Sequence, residues 1–183
     1  MMRKLNGFIL KVLGWSIAGD HRSDLDKAIM IAGPHTSNWD FPLGIMVRSV
    51  ICADIKYVGK ASLFKPPLGW IMSSLGGIGV DRSKSNNFVD AVVEEYKSHK
   101  KLTILFAPEG SRKRVEKFKT GFYHIARLAE IPIIPLILDY KTKEFRFLPI
   151  FNVTDDMKKD MEFLEGLYRG IKGYNPSNGF GMS

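Results

Sequence analysis

The longest uninterrupted apolar run in this chain is IPIIPLIL at positions 131–138, and two of its residues are prolines. A helix that crosses a bilayer needs roughly 18–20 consecutive apolar residues. The run is too short for that and reads instead as a buried strand. AIMIA at 28–32, closed by Gly33 and Pro34, and LTILF at 102–106, closed by Pro108 and Gly110, have the same character. Short apolar runs stopped by glycine and proline are the pattern of strands covered on both faces. Further strands are predicted at 55–58 and 145–150. Helices are predicted at 41–52, 66–75 and 121–130, with a cysteine, Cys52, expected in the core. Another helix starts at Ser85 or Asn86 and runs to about Ser98, with Phe88, Val89, Val92, Val93 and Tyr96 turned inward. A last one, capped by Thr154 or Asp155, runs to about Ile171. Strands alternating with helices predict an α/β fold, a single domain whose mixed, mostly parallel sheet is covered by helices. The chain has 183 residues, enough for one core. It shows no repeat, linker or low-complexity tract.

Charge narrows the partners. Lysine and arginine number 27 against 19 acidic residues, a net charge of +8, which suits an anionic partner. Residues 1–19 contain Arg3, Lys4 and Lys11 and no acid. On a helical wheel the cations share one arc, while Leu5, Phe8, Ile9, Val12, Leu13 and Trp15 cover the opposite, wider face. That is the pattern of an amphipathic helix in a membrane surface, or of an ordinary helix docked on the core. Lys11 interrupts the apolar centre that a signal peptide requires. The single cysteine excludes an internal disulfide and a multi-cysteine metal site. His21, His99 and His124 stand far apart and form no zinc-binding pattern. The glycine-rich tail, 174–183, is expected to be mobile.

Three segments could carry chemistry. In GPHTSNWD, 33–40, His35 follows a strand end and Asp40 opens a helix. The carboxylate could hold the imidazole in one tautomer and stabilise its cation, or it could only cap the helix beside a loop histidine. Such a pair lacks a nucleophile of its own, so a substrate would supply the hydroxyl. In FAPEGSRKR, 106–114, Gly110 allows close approach of a ligand and Arg112 suits a phosphate; a solvated basic loop is the alternative. GGIGVDR, 76–82, lacks the third glycine of a dinucleotide fingerprint. Its Arg82 could pair with Asp81 or turn toward the pocket of Arg112. A fourth segment, IPIIP at 131–135, reads as plain core. No Gly-x-Ser-x-Gly elbow occurs.

Taken in order, His-x4-Asp, Gly-x-x-x-Asp-Arg, Pro-Glu-Gly-Ser-Arg and Ile-Pro-Ile-Ile-Pro resemble the four blocks of the glycerolipid acyltransferases, which include the 1-acylglycerol-3-phosphate acyltransferases. Lys60-Ala61-Ser62-Leu63 and Phe118-Lys119-Thr120-Gly121 are smaller echoes. The resemblance runs from His35 to Pro135 and implies one acyltransferase domain over residues 1–183. By it, His35 is the general base and Asp40 its orienting partner. Lys60, Arg82, Glu109, Gly110, Ser111 and Arg112 are implied to bind the acceptor and its phosphate, and Ile131, Pro132 and Pro135 to lie in the acyl-chain or donor region. Pro34 stands where the family often has Asn, and Ala107 and Ser111 also depart from the usual third block.

The resemblance further implies transfer of a fatty acyl group from acyl-CoA or acyl-carrier protein to a lysophospholipid-like acceptor such as 1-acylglycerol-3-phosphate. It implies no bound cofactor and no metal. The expected setting is peripheral, on an anionic membrane surface, at the cytoplasmic side. Other lipid acceptors, a thioesterase, and a non-catalytic lipid-binding protein are the competing functions. Arg112 to Lys119 interleave charge with Phe118, but no nucleic-acid motif accompanies them, so no nucleic-acid partner is expected.

Overall fold

The computed structural model describes residues 2–80 and 85–181. Its centre is a seven-stranded sheet. The strands are β1 (Ser16–Ala18), β2 (Lys27–Gly33), β3 (Ile55–Lys60), β4 (Gly77–Val80), β5 (Leu102–Phe106), β6 (Ile133–Asp139) and β7 (Glu144–Phe147), in the order β1-β7-β6-β2-β5-β3-β4. Strands β2 to β6 are mutually parallel; β7 runs antiparallel to β6, and β1 parallel to β7. The predicted mixed, mostly parallel sheet is therefore present.

Alternation along β2 explains its uninterrupted apolar run. Ile29 and Ile31 enter the core on one face, Ala28 and Met30 the core on the other. A strand covered on both sides has no polar face to display. Helices α4 (Ser85–Ser98), α5 (Gly121–Ala129) and α6 (Met157–Gly166) lie on the Ile29 side. Helices α1 (Met2–Val12) and α2 (Asp40–Ile51) pack on the other. Helix α3 (Gly69–Ser74) joins them there, because Tyr57 contacts both Phe41 of α2 and the backbone of Met72.

Several local expectations are corrected. The N-terminal helix does not reach residue 19. It stops at Val12, and Gly14, at φ +79°, turns the chain so that Trp15 leaves the helix and packs on Tyr140 and Phe145. Asn6 and Leu10 dock the helix, while Leu5, Phe8 and Val12 remain in solvent. Helix α3 begins only at Gly69, after Pro66-Pro67 and a 3₁₀ turn over Ala61–Phe64. Cys52 is exposed rather than core, as the left-handed residue that ends α2. The seventh strand stops at Phe147, ahead of Pro149, which has no N–H for a ladder. The last helix is capped by Asp156, since Thr154 is bonded to Asp160 instead, and it ends at Gly166.

Residues 174–181 are packed rather than loose. Phe180 is fully buried against Phe118, with ring centroids 4.3 Å apart. Its apolar ring outweighs the composition of the residues around it.

Candidate active site

Parallel strands deliver their C-terminal ends to one edge of a sheet, where connecting loops form ligand sites. Here that edge receives the loop after β2 with His35, the end of β3 with Lys60, the loop after β5 with Glu109 to Arg112, and Tyr140 just after β6. Arg82, which follows β4, lies outside the described residues. The topology thus gathers segments that are dispersed in the sequence.

Within this edge, His35 Nδ1 lies 2.8 Å from Asp40 Oδ2. The His35 side chain is 25% exposed and that of Asp40 only 4%. An imidazole that donates from Nδ1 keeps its lone pair on Nε2. Asp40 is the first residue of α2 and also accepts the backbone N–H groups of Thr36 and Ser37, both at 2.9 Å. Tyr140 donates its hydroxyl to Oδ1 at 2.7 Å. The two sequence alternatives therefore merge, because one carboxylate both stabilises the loop entering α2 and orients the imidazole. Burial raises the Asp40 pKa, but the hydrogen bonds from His35, Tyr140 and Ser37 outweigh it and hold the carboxyl below its ordinary value. Tyr140 shifts the opposite way, raised first by burial and then by the bond to Asp40, so it stays a donor.

Glu109 does not reach out toward a ligand. It is buried, and its Oε2 accepts the backbone N–H of His35 at 2.7 Å. Burial pushes its carboxyl up to about 7, opposed by that N–H and by the imidazole. The loop after β5 therefore braces the loop after β2 from inside. Gly110 takes φ +68°, and a Cβ there would meet the Lys119 side chain at 3.2 Å. Ser111 and Arg112 follow on the exposed surface of the loop, with the Ser111 hydroxyl bonded to the backbone of Lys113. Beside this turn is a cavity of about 550 Å³ lined by Phe88, Phe106, Gly110, Lys119 and His124, among others.

Ile131 and Pro132 are not brought to this edge, and Pro135 is inside the sheet rather than in a loop. Ile131 and Pro132 precede β6, while Pro135 lies within it and pairs with Ile31 of β2; Ile131 and Pro135 are buried. The parallel direction of β6 places Ile131 and Pro132 toward the end of the sheet away from His35, and Pro135 inside the sheet as core. Among the described residues, no group of three His, Cys, Asp or Glu is placed to hold a metal ion.

Two supports were invisible in the motifs. Tyr140 lies a hundred positions from Asp40, and its signal was its place directly after a parallel strand. Thr36 is held by the C-terminal segment: Asn175 donates its backbone N–H to Thr36 Oγ1 at 3.2 Å and its amide to Thr36 O at 2.9 Å. A Cβ on Gly173 would strike that same Thr36 hydroxyl.

The profile of the acyltransferase family matches residues 16–139, more than half of the chain. Among similar proteins are the 1-acyl-sn-glycerol-3-phosphate acyltransferases of Saccharomyces cerevisiae, Salmonella typhimurium and Escherichia coli K12. The yeast protein is 31% identical over 75% of this chain and 45% of its own length. The Salmonella protein is 34% identical over 60% and 46%, and the Escherichia coli protein 30% identical over 69% and 52%. The chain spans about half the length of these curated relatives. Its fold matches the crystal structure of the 1-acyl-sn-glycerophosphate (LPA) acyltransferase of Thermotoga maritima with a TM-score of 0.62, at 16% identity, over 91% of this chain and 74% of that one. On the sheet, the helices around it and the family match together, the chain belongs to the acyltransferase family.

Proposed function

We propose that this protein transfers a fatty acyl group from a thioester, acyl-CoA or acyl-carrier protein, to the free hydroxyl of 1-acylglycerol-3-phosphate or a closely related lysophospholipid. The observation that carries this is the His35–Asp40 pair: Nδ1 is tied to a buried carboxylate at 2.8 Å, and the ring is partly open at the ligand-binding edge of the sheet. In this mechanism Nε2 takes the hydroxyl proton as the acceptor oxygen attacks the thioester carbonyl carbon. The carbonyl electrons move onto oxygen and a tetrahedral intermediate forms. Collapse restores the carbonyl and breaks the carbon–sulfur bond, and the imidazolium returns its proton to the leaving thiolate. No group on the protein is acylated. A base of this kind contributes ~10²–10⁴-fold, with positioning supplying much of the rest.

The acceptor phosphate is assigned to Arg112 with Lys60 and Arg82, and Gly110, just before Ser111 and Arg112, leaves the loop open to a ligand. The donor is a substrate and not a resident cofactor. No helix among the described residues is long and apolar enough to cross a membrane. Helix α1, with its exposed Leu5, Phe8 and Val12 beside Lys4 and Lys11, supports peripheral attachment to an anionic leaflet. The cytoplasmic face is where acyl-CoA and acyl-carrier protein would be met.

The test is thiol release from a long-chain acyl-CoA or acyl-carrier protein, with and without 1-acylglycerol-3-phosphate, for the wild type and His35→Ala. Release that needs the acceptor and falls at least about a hundredfold in the variant is the expected result. Acceptor-independent release would instead identify a thioesterase. Full activity in His35→Ala would overturn the mechanism.

A further inference from the structure

Thirteen large hydrophobic side chains are exposed among the described residues, and they are not scattered. Met2, Leu5, Phe8, Val12 and Leu13 belong to α1 and its end. Trp39 stands beside Asp40, and Leu63, Leu68, Trp70 and Ile71 lie on the arm that links β3 to β4. Only Leu128, Phe163 and Tyr174 lie elsewhere. Isolated exposed apolar residues are ordinary, but a concentration on one side of a molecule marks a surface for a partner.

The arm is not a loose flap showing its core residues by accident. Its inner side is already used. The Phe64 ring lies over Gly59, Gly77 and Gly79, where added Cβ atoms would come within 2.7–2.9 Å of it. Tyr57 donates its hydroxyl to the Met72 carbonyl at 3.0 Å. With Phe64 anchored inward, Trp70, 75% exposed, and Ile71 are displayed outward.

Charge identifies the occupant. The arm at 61–74 contains no aspartate or glutamate and carries the exposed Lys65, while Asp54 before it is ion-paired to Arg48 and Lys56. Residues 1–19 likewise have cations and no acid. Two such surfaces facing each other in a symmetric dimer would oppose like charges. Apolar side chains among lysines fit the interface of an anionic leaflet, where indole rings and lysine heads both sit favourably.

We propose that the arm at 61–74, with Trp70 at its tip, is a second membrane contact independent of α1. The two contacts flank α2 and lay the His35 edge against the leaflet, with Trp39, 59% exposed, at the start of α2 beside Asp40. The consequence for acceptor delivery rests on the acyl-transfer assignment of His35; the docking itself does not.

The experiment is partition of the full chain onto phosphatidylcholine vesicles with and without phosphatidylglycerol, followed by sedimentation, with no turnover required. Trp70→Ser with Ile71→Ser is expected to lower partition onto the anionic vesicles about tenfold or more. The same variant should turn over a water-soluble short-chain acceptor at the wild-type rate if the acyl-transfer assignment holds, and its melting curve should be unchanged. Trp70→Phe should keep partition but lose a share of the fluorescence quenching caused by chain-brominated lipids. Undiminished partition of the double variant, or equal quenching in Trp70→Phe, would overturn the proposal. So would a wild-type dimer that the double variant converts to a monomer with vesicle binding intact.

Discussion

Asp40 accepts hydrogen bonds from the His35 ring, from two backbone N–H groups and from Tyr140. The tyrosine is the donor that can be removed without disturbing the loop. Tyr140→Phe is expected to lower kcat several-fold, leave KM for the acceptor unchanged, and cost about 1–2 kcal/mol in denaturant unfolding. A purely structural role would show the stability loss without the kcat effect. Glu109 makes a different prediction. Its carboxyl is raised from 4.5 to about 7 in the folded protein. A raised carboxyl favours folding most below the unfolded value, and that contribution fades as pH climbs from about 4.5 through 7. Glu109→Gln can still accept the His35 N–H and carries no charge. Unfolding measured at pH 5 and pH 8 should therefore show the variant gaining on the wild type at the higher pH, by up to about 3 kcal/mol. The His-x4-Asp spacing was legible as a pair because both residues sit in one loop. Glu109 was legible as important but assigned to the ligand, since nothing in its neighbours reveals burial. Tyr140 was not legible, because a hydrogen bond across the sheet leaves no local trace.

At the level of elements, the strands were the most readable part. AIMIA, LTILF and IIPLIL are buried on both faces and stop at glycine, proline or aspartate, so their positions follow from hydrophobicity alone. Helix ends were less readable. Gly14 and Thr154 act through backbone torsion and a bond to Asp160, which periodicity does not register. The fourth block shows a related limit: apolar composition reads as core but does not say at which end of a parallel strand a residue lies, and Ile131 precedes β6 while Pro135 pairs with Ile31. Gly59, Gly77 and Gly79 find their use in shape, as the floor beneath Phe64, while Gly76, at φ +86°, turns the chain against Arg48. Gly79→Ala should destabilise the protein by about 1–3 kcal/mol, because the new methyl meets a ring at 2.7 Å. Phe64→Leu in the same chain should return part of that loss, a coupling that a double-mutant cycle measures.

Across the whole molecule, the His35 edge of the sheet is closed from behind by the last described segment. Phe180 fills the core beside Phe118, Asn175 holds Thr36, and Tyr174 packs edge-on against Tyr140 at 5.5 Å. Phe180→Ala is expected to cost about 3–5 kcal/mol, measured by urea unfolding. Composition had suggested mobility for this stretch because glycine, serine and asparagine dominate it, and a single buried aromatic reverses that expectation. The bond between Tyr140 and Asp40 also has a consequence in time. A ribosome releases His35 and Asp40 a hundred residues before the hydroxyl that steadies them, and Asn175 follows later still. Every nascent or prematurely terminated chain shorter than this carries the His35 imidazole without its complete support. Synthesis itself thus delays the full bracing of His35 until Asn175 has been made and has threaded onto Thr36.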